Sequence, residues 1–157
     1  MGSKGKGTLV RRVVTRFEDV VCESPELEQL YGAQARAAEP VARLLRPLLE
    51  HETSERFVAL LLNGKHRVIG FAEVSRGTLT ASLVHPREVF APALRELAAA
   101  LIVAHNHPSG DPEPSQEDLE VTKRLHEAGQ ILGVPLLDHI IVGEGGSFIS
   151  LRERVGL

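Results

Sequence analysis

Four apolar residues, Leu101-Ile102-Val103-Ala104, run directly into His105-Asn106-His107-Pro108, and this stretch narrows the fold more than any other. The apolar run is short, partly β-branched and preceded by a helical stretch. That fits a central strand covered on both faces. In extended chain, residues two apart project to one side, so His105 and His107 emerge together at the strand's C-terminal end. Sites in open α/β sheets usually lie outside the carboxyl ends of strands. The next segment is neither helix nor strand, because Pro108, Pro112 and Pro114 fix φ and Gly110 permits a tight turn. A helix then begins, with Leu119, Val121, Thr122, Leu125, Ala128 and Leu132 recurring at helical spacing. Ser115 is its N-cap and Asp118 its third helical position, where free N–H groups and the helix dipole favour an ionised carboxylate.

Two imidazoles, and a carboxylate eleven residues after the second, make a three-ligand set. Such a set suits a catalytic zinc ion, which takes three protein ligands and leaves a fourth position for water. Ser115-x-x-Asp118 also reads as an ordinary capping box. The same pair can cap the helix and serve a site.

The rest of the chain supplies a frame for that strand. Residues 8–21 read as a short strand or extended arm, and Glu26 to Tyr31 as a helical turn after Pro25. Glu39 or Pro40 through Leu49 reads as a helix burying Val41, Leu44, Leu45, Leu48 and Leu49, with a kink or early end at Pro47. Strands are expected at about 56–63, 66–74 and 78–84, the first two joined through the hairpin signal Asn63-Gly64. Arg87 to Ala100 reads as a helix with Val89, Phe90, Leu94, Leu97 and Ala98 facing inward. Further strands are expected at about 136–142 and 147–151, with Gly143-Glu144-Gly145-Gly146 turning between them. This order predicts an α/β (α+β) domain, and the early meander makes its sheet mixed.

Composition removes several classes. The chain has 157 residues, enough for one domain with a real core. No apolar run nears the length of a membrane span, and Met1 to Gly7 lacks the apolar core of a secretory signal. A cytoplasmic location is the expectation. The single cysteine, Cys22, excludes an internal disulfide and a Cys-rich zinc site. Net charge is −3 and aromatic residues are 4%, so neither a basic face nor base-stacking platforms are expected. Lys4, Lys6, Arg11, Arg12 and Arg16 form a basic cluster that reads as a solvated tail. Nucleic acid as a partner is thus not supported by charge.

The spacing His-x-His, seven residues, Ser, two residues, Asp resembles the JAMM signature of the JAB/MPN metallopeptidase family. The longer string from His105 through Pro112 to Asp118 resembles its bacterial RadC branch. So do Val84-His85-Pro86-Arg87-Glu88-Val89-Phe90, Leu137-Asp138-His139-Ile140-Ile141-Val142-Gly143 and Ser150-Leu151-Arg152-Glu153-Arg154. The resemblance implies a curled mixed sheet with helices on both faces, of JAB/MPN (cytidine-deaminase-like) architecture, over residues 41–157. Residues 1–40 would be a leader or extension, partly flexible. It further implies Zn2+ held by His105, His107 and Asp118, with Glu55 as base on a zinc-activated water and Ser115 stabilising the oxyanion. Glu73 is the reserve candidate for the base. In most branches of the family Ser or Thr stands where this chain has Asn106. RadC proteins usually carry a helix-hairpin-helix module before the domain, and residues 1–40 show no hairpin of that type.

The implied activity is zinc-dependent hydrolysis of peptide or isopeptide bonds in a protein or peptide substrate, with a homodimer as an open possibility. Two alternatives stand beside it: a DNA-repair-associated, nucleic-acid-processing protein, and a non-catalytic scaffold. A zinc deaminase would need His-x-Glu and Pro-Cys-x-x-Cys, which a chain with one cysteine cannot supply. Among the other histidines, His51 and His66 are expected to face solvent, His126 to be half exposed, and His85 to cap or orient a helix. His139 is expected to be a hydrogen-bonded core residue or, as the weaker reading, a support for the metal ligands.

Overall fold

Strands buried on both faces need a layer of helix on each side of their sheet. The computed structural model describes residues 25–77 and 84–157 and meets that need. Its elements in order are α1 (Pro25–Leu30), α2 (Ala38–Leu49), β1 (Arg56–Leu62), β2 (Val68–Arg76), α3 (Pro86–Arg95), β3 (Ala100–Asn106), α4 (Gln116–Leu132), β4 (Leu136–Val142), β5 (Phe148–Ser150) and α5 (Leu151–Val155). The five strands form one sheet in the order β2-β1-β3-β4-β5. Only β3 and β4 run parallel, and α4 is the crossover between them; the other neighbours are antiparallel. The expected mixed sheet with helices on both faces is therefore present.

Strand alternation divides the interior in two. Val58, Leu60, Leu62, Ile102, Ala104, Ile140 and Val142 pack against Val41, Ala42, Leu45 and Leu49 of α2. Phe57, Ala59, Leu61, Leu101 and Val103 face the other way, onto Val89, Phe90 and Ala93 of α3 and Val121 and Leu125 of α4. Leu30 and Ala35 belong to the α2-side core. Each face of β3 therefore has its own chemistry: odd residues meet α4, even residues meet α2 and the segment after it.

Several boundaries differ from the sequence reading. α2 begins at Ala38, earlier than read, and runs through Pro47 to Leu49 as expected, where the Glu50 N–H caps it by donating to the Arg46 carbonyl at 2.8 Å. The β1–β2 hairpin exists, but its loop is longer than Asn63-Gly64 alone. The His66 N–H closes a turn on the Asn63 carbonyl, and His66, half-buried, takes the left-handed conformation at φ 57°. Asn63 Oδ1 holds the loop by accepting the Lys65 and Arg67 N–H groups at 2.9 and 3.0 Å. α3 ends at Arg95 rather than Ala100, and Leu94 and Leu97 face solvent instead of the core. Leu132, at the end of α4, is also exposed. The strand expected at 78–84 and the arm at 8–21 fall outside the described residues, apart from Val84, which is buried. Among the described residues no helix is long and apolar enough to cross a membrane.

Candidate metal centre

The site forms where β3 ends. His105 is its penultimate residue, lies on the α4 face, and stacks on Phe57 with ring centroids 5.9 Å apart. His107 lies just past the strand, yet its N–H donates to the Val142 carbonyl at 3.0 Å, so the chain still runs beside β4. The loop over 108–114 then lies against the β4–β5 turn, where the Glu144 N–H donates to the Gly110 carbonyl at 2.9 Å. Gly143 makes that approach possible, because a Cβ there would stand 2.4 Å from the Gly110 carbonyl oxygen. The loop delivers Ser115 as N-cap of α4. Ser115 Oγ accepts the Asp118 N–H at 3.1 Å, and Asp118 Oδ2 accepts the Ser115 N–H at 2.8 Å. The capping box fixes the Asp118 carboxylate against the two imidazoles.

Three ligand side chains converge. His105 Nε2 and His107 Nε2 are 3.0 Å apart, His105 Nε2 lies 3.2 Å from Asp118 Oδ1, and His107 Nε2 lies 3.1 Å from Asp118 Oδ2. Tetrahedral zinc with bonds near 2.0–2.1 Å separates its ligand atoms by about 3.3 Å. His105, His107 and Asp118 can therefore hold a metal ion.

Hydrogen bonds behind the rings fix which nitrogen faces the centre. Thr122 Oγ1 lies 2.6 Å from the Asp118 carbonyl oxygen, which can only accept, so the hydroxyl donates there. The same oxygen lies 2.6 Å from His139 Nδ1 and must accept from it. His139 is fully buried, and burial, reinforced by the neighbouring His105, pushes its pKa well below the ordinary imidazole value. A neutral ring protonated at Nδ1 has a lone pair at Nε2, which accepts the His105 Nδ1–H at 2.8 Å. His105 Nε2 is thereby left as a lone pair at the centre. For His107, Nδ1 donates to the Asp111 carbonyl at 2.8 Å, which aims Nε2 at the same point.

The charges agree with a site that wants a cation. Burial by itself would raise the Asp118 pKa, but the two adjoining imidazoles, with the Ser115 N–H, outweigh it and hold the carboxyl far below the usual range. The His107 pKa is raised, chiefly by its hydrogen bond to Asp118 and against the opposing effect of burial; the Asp111 carbonyl and the charges of Asp118 and Glu55 add to it. A proton on His107 and a cation at the centre are thus alternative partners for the Asp118 carboxylate.

Glu55 immediately precedes β1 and is half-buried, and its charge acts on His107. Its carbonyl accepts the Gly77 N–H at 2.9 Å. β1 pairs Phe57 with His105, so alternation counted back from Phe57 puts Glu55 on the histidine face. Glu73 is placed otherwise. Its carboxylate is bound by Arg56 through Nε at 2.7 Å and through Nη2, and by Arg76 Nε at 3.2 Å. Burial would raise its pKa, but the two guanidinium groups lower it.

A family model described as the RadC-like JAB domain matches residues 35–157. The chain belongs to the RadC-like JAB domain family. Similar proteins include the UPF0758 protein of Symbiobacterium thermophilum, 56% identical over 73% of this chain and 48% of that protein. The UPF0758 protein of Geobacter sulfurreducens is 61% identical over 61% of this chain and 43% of its own length. That of Bacillus licheniformis is 52% identical over 76% and 53% respectively. The chain thus spans about half the length of the curated relatives it matches.

Within this RadC-like domain, sequence reasoning brought His105, His107, Ser115, Asp118 and Glu55 to one region, and they are found there. In the sequence Thr122 reads as a plain core residue. Thr122 follows Asp118 by one helical turn and shares its face, and that spacing was the available signal. His139 is a hydrogen-bonded core residue, as its first reading has it, and it also supports His105. His85 is the N-cap residue of α3 through its backbone, with no side-chain cap bond. Asn106 was noted only as a departure from the family pattern. Its place on a strand buried along its whole length was a signal too, since a buried amide needs partners.

Proposed function

We propose that this domain is a zinc-dependent metallohydrolase cleaving amide bonds, peptide or isopeptide, in a protein or peptide substrate. One observation carries the reading: two imidazole Nε2 atoms and a carboxylate lie 3.0–3.2 Å apart, with both Nδ1 atoms already committed elsewhere. Two nitrogens and one oxygen leave a coordination position open, which is the donor set of a catalytic rather than a structural zinc. When bound, zinc supplies a Lewis acid that polarises a carbonyl and lowers the pKa of a bound water to about 7.

The chain's own residues do the rest. Glu55 takes the proton of the attacking water and passes it to the leaving amine. Glu73 is unsuited to that task because Arg56 and Arg76 bind its carboxylate. Ser115 Oγ accepts a backbone N–H, so its own proton remains to be donated to the developing oxyanion. Phe57, stacked on His105, keeps that side of the ring dry. The intact ligand set argues against a scaffold that has lost its chemistry.

The test combines metal analysis with turnover. The parent chain, purified metal-replete, should hold one zinc ion, and Asp118→Ala should hold none. Glu55→Gln should keep the zinc and lose cleavage of internally quenched peptides and isopeptide-linked conjugates. A parent without stoichiometric metal, or undiminished turnover in Glu55→Gln, would falsify the assignment.

A further inference from the structure

We infer that Asn106 is the positioning residue for Glu55, acting as a clamp on the backbone at either side of it; the inference rests on Glu55 being the base. Alternation along β3 sends His105 to the α4 face and Asn106 to the opposite face, toward the segment joining α2 to β1. The antiparallel ladder between β1 and β3 has Phe57 opposite His105 as its last rung. The next rung would set Arg56 opposite Asn106, and there the Asn106 side chain replaces the backbone. Its Oδ1 accepts the Arg56 N–H at 2.7 Å. Its Nδ2 donates to the Ser54 carbonyl at 3.0 Å and reaches the Glu52 carbonyl at 3.5 Å. One amide thus holds the residue before Glu55 and the residue after it.

This arrangement needs an amide. Asn106 is 2% exposed, and both ends of its side chain are used, one as acceptor and one as donor. A hydroxyl is shorter and has a single polar atom to offer both residues. Other restraints on the segment act on Arg56 and Glu55 themselves. Arg56 Nη1 donates to the Leu48 carbonyl at 2.7 Å and to Glu52 Oε1 at 2.9 Å, and the Glu55 carbonyl takes the Gly77 N–H. Asn106 joins this segment directly to the stretch of chain that carries the two histidines. The clamp makes the separation between Glu55 and the metal ligands a property of β3. Where a general base must sit within hydrogen-bond reach of its proton, such coupling bears on rate, and a shift of about 1 Å costs on the order of a hundredfold.

The experiment uses the full chain loaded with cobalt(II) alone, whose visible bands report the ligand field of the open position. Asn106→Ala should keep one cobalt ion, because the ligands lie on the other face. Its spectrum should move in the same direction as that of Glu55→Gln. Amide exchange at Arg56 should quicken by about tenfold or more, as expected when one hydrogen bond is lost. A parent-like spectrum in Asn106→Ala beside a shifted one in Glu55→Gln overturns the clamp and leaves the base assignment standing. Unchanged exchange at Arg56 overturns it too. A parent-like spectrum in Glu55→Gln overturns the base assignment and the positioning role with it. Should Asn106→Ala not fold, Asn106→Asp is decided on the spectrum, since it keeps the acceptor for Arg56 but turns an oxygen toward the Ser54 carbonyl.

Discussion

Thr122 has one hydroxyl proton, and its destination decides which nitrogen of His105 faces the metal centre. Given to the Asp118 carbonyl, it forces Nδ1–H on His139 and Nδ1–H on His105, and leaves Nε2 of His105 bare. No atom of Thr122 is among the ligand atoms, yet the ring orientation depends on it. Thr122→Val removes the acceptor for His139 Nδ1–H in a buried place, so the proton moves to Nε2 and confronts the His105 donor. Zinc affinity should then fall by about 10–100-fold, the usual cost of losing a partner behind a ligating histidine. Competition with a chromophoric chelator at fixed pH reads this directly, and a parent-like affinity would show that the chain of hydrogen bonds is incidental.

At the scale of elements, α3 shows where local pattern stops being informative. Its apolar spacing runs on through Leu94 and Leu97, and by periodicity alone the helix should continue. It stops because Leu97 turns left-handed at φ 51°, with the Leu97 N–H donating to the Leu94 carbonyl and the Ala98 N–H to the Ala93 carbonyl. That is a Schellman termination, which ordinarily has glycine at the left-handed position. Leucine gives no warning of it in the sequence, and at 87% exposure the side chain is not what holds the turn. Leu97→Gly should relieve about 1–2 kcal/mol of left-handed strain against about 0.5–1 kcal/mol of extra chain entropy. A net gain of up to about 1.5 kcal/mol, up to about 6 °C in Tm, is expected in a thermal melt; a lower Tm would mean that the turn is unstrained. β3 and β4, by contrast, are legible to within a residue, because burial on both faces makes them apolar apart from the pairs His105-Asn106 and Asp138-His139. The capping box at Ser115 was equally legible, being local chemistry. Asn106 and Thr122 were not, because their partners at Ser54, Arg56 and His139 are distant in sequence and only the fold brings them near.

Over the whole molecule, metal, proton and fold are linked through one charge balance. The antiparallel β1–β3 pair, the parallel β3–β4 pair and the α4 crossover bring an anionic carboxylate beside two imidazoles in a largely buried place. The raised pKa of His107 widens the pH range over which a proton there offsets Asp118. A cation must displace that proton, so binding releases it and the apparent affinity depends on pH. The sign follows from the direction of the shift. Above the raised His107 pKa the site is already deprotonated and affinity is level with pH. Below it, affinity falls by about tenfold per pH unit for one displaced proton. Binding to the folded chain alone stabilises it, by about 4 kcal/mol at a zinc concentration a thousand times Kd. At about 2–4 °C per kcal/mol for a chain of this size, the melting temperature should rise by roughly 8–16 °C. EDTA should reverse the rise, and the rise should shrink as pH is lowered at constant free zinc. Scanning calorimetry at pH 8 and pH 6, with and without zinc, checks both statements. A gain in Tm that is the same at the two pH values would show that no proton on His107 competes with the metal.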